Sequence, residues 1–338
     1  MNYLILATLP QVYIKGPCAC YDLSLFKMPP VKKVKRRSRP AKQRTVCPIP
    51  RMVSVAQMDA LYPDDLAIVK LFQSVGILHE SRVCERNHTM KLDHTDKRRK
   101  PRWRCRRCPG DPEFCVVDGT FYEGRDLALR TILHQLYFWA SGANQTQLAT
   151  YTGIQNTTLL ANLRGDLRAV CSEVNAGQPV FGGTWYTDET LVHKDIVLGG
   201  ILKETGKCFA RIVEDRSSDV MIPVIEEHVA RGSLIQTDKY SSYKPLATYG
   251  RRNWKHQTVT HSQKVYKCPI TGACTNTVEG WWRALKHEFD HHSKHDLAGF
   301  ISEFVFKRNA RPTDPFCAIL KAIGALRPPG DVGTYRKG

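Results

Sequence analysis

The chain has 338 residues, 42% of them hydrophobic, enough for two or three compact units and a sizeable core, so it is not a wholly disordered polypeptide. Its 50 basic residues against 32 acidic ones leave a formal charge of +18, which favours a polyanionic partner, nucleic acid or an anionic membrane surface. The apolar opening from Tyr3 to Leu9 is far shorter than the roughly 20 residues of a membrane span and lacks a basic flank, so neither a span nor a secretory signal is expected. The 12 cysteines are too irregularly spread for a disulfide scaffold; a reducing compartment is expected, with some thiols committed to metal and Cys171, Cys208 and Cys317 buried as small hydrophobes.

The first segment, 1–55, reads as a flexible basic arm. Between Lys27 and Arg51 stand ten basic residues and no acidic one, among several prolines. Its centre, Lys32, Lys33, Lys35, Arg36 and Arg37, suits both nuclear import and DNA phosphates, so a nuclear location is expected. Residues 56–120 read as a helix, Met58 to about Leu78, followed by a metal module. There Cys84 and His88 precede Cys105 and Cys108 at a separation that lets a short hairpin gather three thiols and an imidazole around one structural Zn²⁺. His94 and Cys115 are rival ligands, and Trp103 is expected to pack within the module.

Residues 121–176 read as helical. A buried helix over Leu127 to Ala140 precedes two more, Gln145–Tyr151 and about Asn156 to Val170, around the turn at Thr152-Gly153. That spacing is similar to a helix-turn-helix that would present Asn156, Thr157, Thr158 and Arg164 to a major groove; an ordinary helical hairpin has the same spacing.

From 177 to 312 the period changes. Strands are predicted at Val180 to Thr187, His193 to Leu202 and Lys207 to Val213, separated by Thr190 and Gly206. A helix follows over Ser217 to Ala230, then a strand from Ser233 to Thr237, another near Gln257 to Thr260, and helices from Asn276 and Asp296. The succession makes an α+β or α/β core, and the prolines after Pro312 predict a mostly irregular tail over 313–338. Asp188 and Asp238 each end such a strand, and Glu279 lies near the start of a helix that could add a third oxygen ligand. Oxygen-only ligands suit hard divalent cations, and two ions about 4 Å apart suit attack on a phosphodiester. On residue chemistry alone Glu189, Asp215 and Asp219 are credible substitutes. Beside Glu279, Arg283, Lys286 and His287 could hold DNA phosphates, with Trp282, Leu285 and Phe289 on the apolar stripe. Trp281 is a possible DNA contact, and His261 a phosphate contact at the active edge.

The strings Tyr186-Thr187-Asp188-Glu189-Thr190, Gly232 to Asp238, His261-Ser262, Thr275 to Lys286 and Glu303 to Asn309 resemble the catalytic domain of transposases of the bacterial IS1595-like group and their eukaryotic relatives, the Merlin superfamily. The resemblance covers roughly residues 80 to 310. It implies an RNase H-like α/β catalytic domain with a zinc module ahead of it; with the helical, candidate DNA-binding region read from the spacing, the chain as a whole is expected to be α+β. It also implies Asp188, Asp238 and Glu279 as an acidic triad holding two Mg²⁺, with Mn²⁺ as a substitute. Cys84, Cys105 and Cys108 match the family's metal module, and His88 stands near the place of its missing second cysteine. The implied activity binds double-stranded DNA at terminal inverted repeats, cleaves the element ends and joins the 3′ hydroxyl to target DNA, as a homodimer or higher homo-oligomer. A nuclease without strand transfer, or a non-catalytic DNA-binding protein, are the rival readings.

Overall fold

The computed structural model describes residues 54–96, 98–259, 276–290 and 296–331. The proposed arm residues Lys32 to Arg37, His261 and the last seven residues lie outside them. All described residues belong to one unit, Cys47–Gly338.

Two short helices open it, α1 (Val55–Leu61) and α2 (Asp65–Ser74), where one was predicted. Pro63 interrupts the run, and Asp64 restarts it by accepting the Ala67 N–H at 2.8 Å, a normal N-cap. Strands β1 (Lys91–Asp93), β2 (Arg102–Arg104) and β3 (Glu113–Cys115) form a three-stranded antiparallel sheet. Alternation sends Leu92, Trp103 and Phe114 toward the buried cysteines and leaves Lys91, Arg102 and Arg104 on the other face. Helices α3 (Leu129–Ala140), α4 (Gln145–Thr152) and α5 (Thr157–Ala176) follow, with Gly153 closing α4 in the left-handed conformation at φ 71°.

The second sheet has five strands in the order β6-β5-β4-β7-β8. Its members are β4 (Thr184–Val192), β5 (Asp195–Leu202), β6 (Cys208–Val213), β7 (Leu234–Thr237) and β8 (Lys255–Thr258). The first three are an antiparallel meander; β7 and β8 run parallel to β4. Helix α6 (Ser218–His228) makes the crossover from β6 to β7, and a 3₁₀ helix, Ser241–Ala247, leads toward β8. Helices α7 (Asn276–Asp290), α8 (Leu297–Ala310) and α9 (Pro315–Leu326) close the chain. The architecture is therefore mixed α/β with a mixed sheet.

Two expectations fail here. Thr190 does not end a strand: β4 continues to Val192, because its β-branched residues keep pairing with β5 until the two-residue turn at His193 and Lys194. The C-terminal segment is not irregular, since Pro315 occupies the first turn of α9, where proline is tolerated, and Phe316, Ile319, Leu320 and Ile323 form a buried stripe behind it.

Both faces of the five-stranded sheet are covered. Tyr186, Val197 and Ile201 pack under α7 and α8, whereas Trp185, Leu198, Leu202 and Ile235 pack under α6 and the 3₁₀ helix. A third core joins α2, α3, α4, α5 and α9 and takes in Phe306 of α8. Helix α8 thus belongs to both cores. Between them Glu303 is buried and accepts from Arg164 at 2.9 Å, Arg168 at 3.0 Å and Lys307 at 2.7 Å. Burial alone would raise the Glu303 pKa, but Lys307, Arg164 and Arg168 outweigh it and hold the carboxyl well below its ordinary range. Cys171 and Cys208 are buried free thiols, as expected; Cys317, equally buried, is instead disulfide-bonded. Among the described residues no helix is long and apolar enough to cross a membrane.

Candidate active site and metal centre

Asp188 is not at a strand end. It lies in the middle of β4, opposite Gly199 of β5, and points toward α7 on the face it shares with Tyr186. Asp238 directly follows β7, as predicted, and its Oδ1 accepts the Tyr240 N–H at 2.9 Å. The parallel register pairs Tyr186 with Gln236, so Asp188 within β4 and Asp238 just past β7 stand at the same level on neighbouring strands. Burial first, then the charges of Glu189 and Asp238, push the Asp188 pKa up to about 7, against the opposing pull of the Glu189 N–H and the Trp282 indole. Two carboxylates crowded in this way are a donor set that a cation would relieve.

The third acid is carried by α7. Val278, Trp281, Trp282, Leu285 and Phe289 form its buried stripe, and Trp282 Nε1 donates to Asp188 Oδ2 at 3.2 Å. Glu279 is one turn ahead of Trp282 on the same helix and is half-buried. The close approach depends on Gly199, where a Cβ would come within 2.7 Å of both the Trp281 and Trp282 rings and of the Phe209 carbonyl. Trp281 is 1% exposed, so the expectation that it touches DNA is wrong: its ring fills the space between helix and sheet. Arg283, Lys286 and His287 are exposed on the outer face of α7.

The substitutes for the triad are placed elsewhere. Alternation on β4 turns Glu189 to the face opposite Asp188, where Tyr243 Oη donates to it at 2.5 Å. Asp215 accepts the Ser217 N–H at 2.7 Å ahead of α6, and Asp219 lies in the first turn of that helix.

The cysteine and histidine ligands do come together. The donor atoms of Cys84, His88, Cys105 and Cys108 all lie within 4.8 Å of one another, and among the described residues this is the group so gathered; the three carboxylates are not. The distances Cys84 Sγ to Cys108 Sγ, 3.6 Å, Cys108 Sγ to His88 Nδ1, 3.3 Å, and Cys105 Sγ to His88 Nδ1, 3.8 Å, are close to those expected for three of the six edges of a tetrahedron. Ligand bonds of about 2.0–2.3 Å to a central zinc require edges of about 3.5–3.8 Å. The cluster could therefore hold such an ion. His94 and Cys115 stand outside it; the Cys115 N–H is instead taken by Asp118 at 2.6 Å.

On the helical pair, Asn156 caps α5 by accepting the Leu159 N–H at 3.0 Å, and Thr157 and Thr158 are exposed beside it. Arg164 is a correction. It is 5% exposed, its guanidinium is held by Glu303, and it cannot face a groove. The other arginine of α5, Arg168, is likewise buried, so the exposed face of that helix carries no basic residue.

Against known proteins, residues 185–309 match the ISXO2-like transposase domain, a span that contains Asp188, Asp238 and Glu279. The match supports a transposase-type function on DNA for this segment. A crystal structure of the catalytic core domain of BIV integrase aligns at 16% identity over 36% of this chain and 80% of that one, with a TM-score of 0.28. No curated protein matches the chain.

Proposed function

We propose that the protein is a metal-dependent DNA transposase of the IS1595-like group, Merlin-like in character, with an RNase H-like catalytic domain over 177–312. The observation that carries the reading is that the β4–β7 register sets Asp188 and Asp238 side by side and that Trp282 ties the helix carrying Glu279 to Asp188, inside the span that matches a transposase domain. The three carboxylates would hold two Mg²⁺, replaceable by Mn²⁺, which supply positive charge against the phosphate and its attacking and leaving oxygens. The donor chemistry fits, since all three are oxygen ligands and the Asp188 carboxyl, pushed up first by burial and then by the charges of Glu189 and Asp238, is one that a cation would relieve.

The chain's own residues then bind and orient. Arg283, Lys286 and His287 would hold flanking phosphates without reading sequence, and His261 would add a contact at the same edge. Asn156, Thr157 and Thr158 remain available to read terminal inverted repeats from the start of α5. Cys84, His88, Cys105 and Cys108 would hold a structural zinc that keeps the module folded. The basic residues Lys32, Lys33, Lys35, Arg36 and Arg37 would bind DNA and direct the chain to the nucleus, and synapsis of two element ends calls for at least a dimer.

Purified full-length protein, supplied with pre-cleaved element ends, a target plasmid and Mg²⁺, is expected to form joined donor-target DNA. Hydrolysed or nicked ends without joined product would reject strand transfer and leave a nuclease.

A further inference from the structure

The ladder between β4 and β7 ends at Tyr186 and Gln236, two positions before the aspartates. The acids thus stand just beyond the last pairing between β4 and β7, with β4 still held by β5, and like charge drives the Asp238 segment away from β4. On the far face of β4, the Glu189 side chain is only 7% exposed, with Tyr243 Oη 2.5 Å from its Oε2 and Arg216 Nε 3.7 Å from its Oε1. Tyr243 is fully buried in the 3₁₀ helix that begins three residues after Asp238. The chain therefore leaves β7, passes Asp238, and is fastened back to β4 at the residue next to Asp188.

Resting on the transposase reading above, we propose that Glu189 and Tyr243 are positioning residues that keep the Asp238 segment beside β4, so that Asp188 and Asp238 share a divalent cation, and that Glu189 is not itself a ligand. Its place in the string Asp188-Glu189 invites the opposite assignment. The hydroxyl of Tyr243 contributes a hydrogen bond to a buried carboxylate, and outer partners of this kind tune metal affinity without touching the metal.

The test uses the full-length protein and direct Mn²⁺ binding by electron paramagnetic resonance, beside Mg²⁺ titration of end cleavage, the KM for DNA and the melting temperature. Tyr243→Phe is expected to weaken Mn²⁺ binding and raise the half-saturating Mg²⁺ about tenfold, with the KM for DNA unchanged. Glu189→Gln keeps an acceptor for Tyr243 and should stay near the unsubstituted protein, whereas Glu189→Ala should follow Tyr243→Phe. If Tyr243→Phe does not fold, the Glu189 pair decides. Superimposable metal-binding curves for Tyr243→Phe or Glu189→Ala overturn the proposal, as does Glu189→Gln losing the metal as completely as Asp188→Asn. Should Asp188→Asn itself keep metal and cleavage, the transposase assignment of the carboxylates fails instead.

Discussion

The indole of Trp282 donates its N–H to Asp188 across 3.2 Å, and so joins the helix that carries Glu279 to the strand that carries the first aspartate. Gly199, opposite Asp188 on β5, makes the approach possible, because a methyl group there would meet both tryptophan rings and a backbone carbonyl.

Gly199→Ala is therefore expected to push α7 off the sheet. Overpacking of this kind costs about 1–3 kcal/mol, and end cleavage should fall much further than the melting temperature suggests. Trp282→Phe keeps an aromatic ring but removes the donor and leaves a small void, so it should lower melting modestly and cleavage by more than that loss accounts for. Parallel melting and cleavage assays on the two variants separate packing from hydrogen bonding.

Asp188 predicts a pH dependence of stability. Its carboxyl titrates near 7 in the fold and near its ordinary value of 3.8 when unfolded, so between those limits the folded chain binds more protons than the unfolded one. Stability contributed by this group then falls as pH rises from about 4 to about 7. In the presence of chelator, Asp188→Asn should melt higher than the unsubstituted protein at pH 8, by roughly 1–3 kcal/mol after allowance for its partial exposure, and the difference should vanish near pH 4. Divalent ions should narrow it at pH 8.

Glu303 predicts the opposite limb. Its depressed carboxyl contributes stability that is present above the ordinary carboxylate range and lost as pH falls into and below it. Glu303→Gln leaves Arg164, Arg168 and Lys307 short of their buried anion, at a cost of about 3–5 kcal/mol at neutral pH. Acid titration followed by circular dichroism should show the gap between the two proteins closing toward low pH.

The metal centre predicts a contrast among cysteines. Protein as purified should hold about one zinc per chain, and His88→Ala or Cys105→Ser should lower both zinc content and melting temperature. Cys115→Ser, outside the tetrahedron, should change neither. Metal analysis by mass spectrometry reads the outcome, and zinc loss from Cys115→Ser would contradict the ligand set.

Much of the site was legible because local spacing carries it. Cys84, His88, Cys105 and Cys108 need only a short hairpin to meet, and Asp238 follows a compact β-rich run. Asp188 was misplaced within its strand because the end of β4 is set by pairing with β5, which no local signal records. Arg164 carried a signal that went unused: with Arg168 it falls inside the stripe Leu160, Leu163, Leu167 and Cys171, at positions that face a core. Its partner Glu303 is 139 residues away and could not be read from sequence. The same applies to α9, where the prolines suggested irregular chain, although Phe316, Ile319, Leu320 and Ile323 keep helical spacing.

The most direct test of the acidic centre is end cleavage by purified Asp188→Asn, Asp238→Asn and Glu279→Gln with Mg²⁺, alongside binding of the same end DNA. Each variant is expected to bind as the unsubstituted protein does and to give no cleaved product. Cleavage retained by any one of them would remove that carboxylate from the chemistry, and retention by Asp188→Asn would contradict the account as a whole.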